Sequence, residues 1–166
     1  MPTLIKIVPN QESQRKIIEY LEENRGVISS PKSKFHSTIL YSKTKPYFKR
    51  GLIEDLVKKY LPVKVIPNSL DVFGENELVL HYESKKVGEL EDRIIGECIR
   101  QILRWPDLNQ YERSLLKKSQ SATLGETYLE SNYHVTIAKN FSGDVKELTK
   151  FNEEIVFDNL VWSTKF

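Results

Sequence analysis

Apolar and polar positions first alternate over 3–8, "TLIKIV", a β-branched run flanked by prolines, and this pattern predicts a strand. The period then changes. Ile17, Ile18 and Leu21 recur at helical spacing behind Asn10, a residue type suited to capping, so a helix is expected over 11–24, ended by "NRG". Alternation returns beyond Pro31 in "FHSTILY" (35–41), a second strand. "GLIEDLVKKYL" (51–61) turns Leu52, Leu56 and Val57 inward as a helix and is stopped by Pro62. "VKVIP", "SLDVF" and "ELVLHYE" read as short strands, the last two joined by a turn at "GEN" (74–76). The clearest helix runs over 84–105, with Leu90, Ile94, Cys98 and Ile102 at helical spacing and Pro106 closing it. "YHVTIAK" (133–139) is a strand, "DVKELTKF" (144–151) a short helix, and "EIVFDNLVWSTKF" (154–166) a final strand or bent pair of strands.

Residues 106–132 break the pattern. They are polar and weakly periodic, with room for a short helix around 111–118. So long a connection is unusual in a compact domain, and a flexible insert is expected at 106–132 within a single domain spanning 1–166. Mixed helices and strands, some strands paired as hairpins, point to an α+β fold rather than a doubly wound parallel sheet. In each half a helix precedes a histidine-bearing strand, which suggests two related lobes.

Composition narrows the partners. A net charge of +2, with 39% hydrophobic and 29% charged residues, describes a soluble chain without the field expected of a long-DNA binder. No apolar run approaches the length of a membrane span, so a cytoplasmic protein is expected, with a monomer favoured. The single cysteine, Cys98, permits no intrachain disulfide, and its isoleucine neighbours suggest a buried, inert thiol. The basic run "KTKPYFKR" (43–50) reads as a solvated loop, or as a rim attracting phosphate.

The chemistry is carried by a near-repeat. "FHSTI" at 35–39 and "YHVTI" at 133–137 both read aromatic, His, any residue, Thr, Ile, and they hold two of the three histidines. On a strand, His36 and Thr38 share one face, as do His134 and Thr136. Two such strands side by side would line one groove with two imidazoles and two hydroxyls. Phosphodiester cleavage needs a base for the attacking oxygen and an acid for the leaving one, and imidazole serves both near neutral pH. The hydroxyls can donate to the non-bridging phosphate oxygens.

With paired His-x-Thr strands in a small α+β chain, the sequence resembles the two-histidine (2H) phosphoesterase superfamily. The short chain, "FHSTILYSK" and a tryptophan close to the end are similar to the phage anti-CBASS nucleases within it. The resemblance implies two pseudo-symmetric lobes of antiparallel sheet flanked by helices, meeting at a central groove. It implies a catalytic set of His36, Thr38, His134 and Thr136, and metal-independent cleavage of cyclic di- or oligonucleotide messengers. The implied biological role is viral antagonism of host cyclic-nucleotide immune signalling. By ribonuclease-like chemistry, one histidine would activate a ribose 2′-OH and the other protonate the departing 5′-oxygen; which does which stays open.

Further candidates are weaker. Trp162 is expected as a base-stacking platform or a core aromatic, Glu154 as a hydrogen-bond acceptor, and Lys139, with Lys43, as a phosphate contact. Tyr41 is expected on the core side of its strand, Trp105 in packing, and His81, which shares no motif, as a structural or surface residue. No closely spaced ligand pair such as H-x-H or H-E-x-x-H suggests a metal, and no glycine-rich phosphate loop suggests a nucleotide cofactor. Two other readings remain: an RNA-processing 2′,3′-cyclic phosphodiesterase, and a non-catalytic module that binds a cyclic nucleotide or RNA.

Overall fold

A computed structural model describes residues 3–42, 50–103, 127–129 and 132–163. The elements run β1 (Thr3–Pro9), α1 (Gln11–Glu23), β2 (Ser37–Ser42), α2 (Arg50–Tyr60), β3 (Val63–Val65), β4 (Ser69–Phe73), β5 (Glu77–His81), α3 (Lys85–Leu103), β6 (Thr127–Leu129), β7 (His134–Ala138) and β8 (Ile155–Ser163). They form an α+β fold with two sheets, ordered β3-β8-β1-β2-β6 and β4-β5-β7, every pairing antiparallel. No helix among the described residues is long and apolar enough to cross a membrane.

Local chemistry explains the boundaries. The Asn10 side chain accepts a 2.8 Å hydrogen bond from the Ser13 amide and caps α1. Gly74 and Asn76 adopt positive φ in the β4–β5 turn, a conformation these two residue types tolerate best. Ile17, Tyr20 and Leu21 of α1, Ile53 and Val57 of α2, and Leu90 and Ile94 of α3 pack on the inner sheet faces, where Ile5, Ile7, Leu80, Val135 and Phe157 are also buried. Each such aliphatic side chain contributes about 1.5–3 kcal/mol by leaving water.

Ile18 of α1 and Leu52 of α2, both expected to face inward, are exposed, with Ile53 taking the inward place in α2, and three further expectations change. Residues 144–151 form only one 3-10 turn, Val145–Glu147. Downstream of it the backbone bonds elsewhere: the Thr149 amide donates to the Asn24 side chain (3.0 Å) and its carbonyl accepts from the Tyr20 hydroxyl (2.7 Å). These bonds tie the segment to α1 in place of a longer helix. Thr127–Leu129, inside the expected insert, pairs with β2 as an edge strand. Residues 106–126, Trp105, Lys43 and the side chain of Cys98 lie outside the described residues.

The third change concerns strand faces. Ile5 pairs with Leu40 but Lys6 with Thr38, so Ile39 is an extra residue in β2. Leu78 pairs with Ala138 but Val79 with Thr136, so Ile137 is an extra residue in β7. Each His-x-Thr motif is therefore followed at once by a β-bulge, which reverses the alternation beyond it. Leu40 and Ala138 are buried as a result. Tyr41, expected on the core side, pairs with Leu4 and so shares the face of Lys6 and Thr38.

Candidate functional site

β2 and β7 lie against each other where the two sheets meet. The segment ahead of β2 ties the sheets together. Pro31 bridges Ala138, the Lys32 amide donates to the Ile137 carbonyl (2.8 Å), and the Lys139 amide donates to the Ser30 carbonyl (2.9 Å). A buried hydrogen bond of 2.7 Å joins the hydroxyls of Ser37 and Tyr82, and the Tyr82 ring stacks against Tyr133 at 5.7 Å. The residue between His36 and Thr38 is thus linked to the aromatic beside His134.

Both motifs alternate as their spacing predicts. Phe35, Ser37 and Ile39 are buried while His36 and Thr38 are half-exposed; Val135 and Ile137 are buried while His134 and Thr136 are half-exposed. His134, about one hundred residues away in sequence, is among the groups whose charge disfavours protonation of His36. Burial, then the cations of Lys6 and Lys32, then His134, push His36 down to about 4, so its ring is neutral at neutral pH. A neutral imidazole is the form that accepts a proton. An anion among the lysines would cancel part of their repulsion and raise His36 toward the range best suited to a base.

His134 is oriented differently. Its Nδ1 lies 2.6 Å from the Asn132 carbonyl oxygen. A carbonyl can only accept, so Nδ1 carries a proton and Nε2 is the nitrogen left to exchange one. The Phe73 ring meets that imidazole edge-on at 5.1 Å and holds its plane. Thr136 lies within 3.5 Å of the Glu77 carboxylate, a long contact that a better acceptor could replace.

The remaining expected residues separate. Lys139 lines an open groove of about 570 Å³ together with Lys6, Lys32, Lys34 and His36. Trp162 pairs with Ile5, on the sheet face opposite Lys6 and Thr38, where it packs against the core beneath the Arg50 guanidinium, 5.0 Å away. Glu154 is exposed just ahead of β8, at the end that pairs with Val65, remote from the Lys6–Thr38 pair. Neither is brought to the histidines.

Several groove residues escaped the sequence reading. Lys6 interrupts the apolar run "LIKIV", and Lys32 and Lys34 continue the parity of His36 and Thr38 in "KSKFHST". Those signals were present. Glu77 and Phe73 carried none, since only the β4–β5–β7 register places them. His81, outside both motifs in sequence, stands directly opposite His134 in that register, 6.3 Å from Phe73.

Among the described residues, no three His, Cys, Asp or Glu side chains gather as a metal-binding set. A scan of family models and a search of curated proteins find no match to this chain.

Proposed function

We propose that the protein is a two-histidine phosphodiesterase of the 2H type, acting on cyclic di- or oligonucleotides. One observation carries the reading. His36, one residue ahead of β2, and His134, at the start of β7, lie at one seam, each with a threonine two residues on along the same face and a bulge at the same following position. A pair of unrelated structural histidines has no reason to share all three features. The helix-then-strand order around each motif, α1 before β2 and α3 before β7, supports the two-lobe architecture of that superfamily.

The roles follow from the environments. His36, held neutral, acts as the base that takes the proton of a ribose 2′-OH. His134, its Nδ1 fixed on Asn132, presents Nε2 as the acid that protonates the departing 5′-oxygen. Thr38 and Thr136 donate to the non-bridging oxygens as negative charge grows on them. The product is a 2′,3′-cyclic phosphate, open to later hydrolysis. The scheme calls on no metal. Degrading such a messenger is how a phage protein would silence host cyclic-nucleotide signalling.

The test is product analysis by chromatography on cyclic dinucleotides, their 2′-deoxy analogues and RNA ending in a 2′,3′-cyclic phosphate, with a chelator present. Cleavage of the ribo compounds with survival of the deoxy ones is expected. Turnover of the RNA end alone would replace this reading with RNA processing. Binding without turnover would leave a sequestering module.

A further inference from the structure

We infer that Lys6, Lys32, Lys34 and Lys139 form a second anion subsite beside His36, which holds a phosphate of the ligand other than the one being cut. Cleavage of the first phosphate rests on the proposed function; the second binding site does not.

Four lysines and His36 line one groove of about 570 Å³, within the range of roughly 300–1,000 Å³ usual for small-ligand sites. Among the described residues none of the four lysines is in an ion pair, whereas the described ion pairs all take their cation from Arg15, Lys16, Arg25 or Arg50. The clustering works against the free protein: burial first, then Lys139 and Lys6, lower the pKa of Lys32, with only Glu77 opposing. Like charges held together without partners are expected where an anion is to be received.

The framework is rigid. Lys32 and Lys139 are fixed through their own amides, which bond across the seam to Ile137 and Ser30. The bulge at Ile137 turns Lys139 out of the alternation that would have sent it inward. His36 belongs both to this groove and to the pair with His134, so a phosphate among the lysines is next to one at the histidines. A ligand that fills both carries two phosphates on neighbouring nucleotides, as a cyclic dinucleotide or a short linear one does.

The experiment is titration calorimetry at fixed ionic strength with cyclic di-AMP, linear pApA and 5′-AMP. It compares the wild type with a Lys32→Met, Lys34→Gln double variant; Met keeps the aliphatic stem of Lys32, and circular dichroism checks folding. A single Lys34→Gln variant, at an exposed position, serves if the double variant does not fold. The wild type is expected to prefer the two-phosphate ligands over 5′-AMP, and the substitutions to cut that preference about ten-fold or more. The tighter of the cyclic and linear compounds identifies the source of the second phosphate. An unchanged preference, or an equal loss for 5′-AMP, overturns the subsite. If cyclic di-AMP binds with this lysine dependence but is never cleaved, the subsite stands and the catalytic reading falls.

Discussion

The hydroxyls of Ser37 and Tyr82 lie 2.7 Å apart in the buried seam between the two sheets. Ser37 separates His36 from Thr38, and the Tyr82 amide donates to the carbonyl of Tyr133, the residue before His134 (3.0 Å). One polar contact therefore couples the positions of both motifs. Tyr82→Phe leaves the buried Ser37 hydroxyl without that bond and is expected to cost about 1–3 kcal/mol in urea unfolding. A double-mutant cycle with Ser37→Ala should return a coupling energy well above zero; additive losses would mean that the contact does not bind the halves together.

His36→Ala and His134→Ala should each lower kcat/KM on a cyclic dinucleotide by about 10²–10⁴-fold, the usual contribution of a positioned acid or base. Dinucleotide binding, followed by calorimetry, should survive both changes. Loss of binding in step with activity would assign the histidines to ligand capture instead of proton transfer.

The depressed pKa of His36 predicts the acid side of the pH dependence. The acid limb of kcat/KM should fall near pH 4 rather than near 6.5, since His36 must be deprotonated to act as base. Lys6→Met removes a cation that disfavours the imidazolium, so the pKa rises and the limb moves to higher pH. The stability sign is the same. Between pH 6.5 and about 4 the unfolded chain holds a proton on His36 that the folded chain lacks, so stability declines as pH falls through that window. A limb that stays in place in Lys6→Met would separate His36 from the rate profile.

Trp162, on the core side of its sheet beneath Arg50, should behave as a packing residue. Trp162→Ala is expected to cost about 2 kcal/mol in thermal or urea unfolding, less than a fully buried aromatic because the ring is half-exposed. Its KM for a cyclic dinucleotide should match the wild type. A large rise in KM with stability intact would show that the ring reaches ligand.

His134 should hold one tautomer. With Nδ1 donating to the Asn132 carbonyl, ¹⁵N NMR of the neutral ring is expected to show protonated Nδ1 and unprotonated Nε2. The reverse pattern would take Nε2 away from the acid role.

What the sequence determined by itself was local. Asn10 before an apolar stripe specified the start of α1, and alternation in "FHSTI" and "YHVTI" specified which side chains would be buried, because capping and period two depend only on near neighbours. The short helix expected at 144–151 failed for the complementary reason: the Thr149 backbone found partners in Tyr20 and Asn24, far away in sequence. Tertiary structure alone decided that the two motifs share one seam, that Phe73 and His81 stand beside His134 and Glu77 beside Thr136 while Trp162 faces away, and that the bulges at Ile39 and Ile137 turn Tyr41 and Lys139 toward the histidine-bearing faces. Register arises from pairing between strands, and no run of residues within one strand encodes its partner.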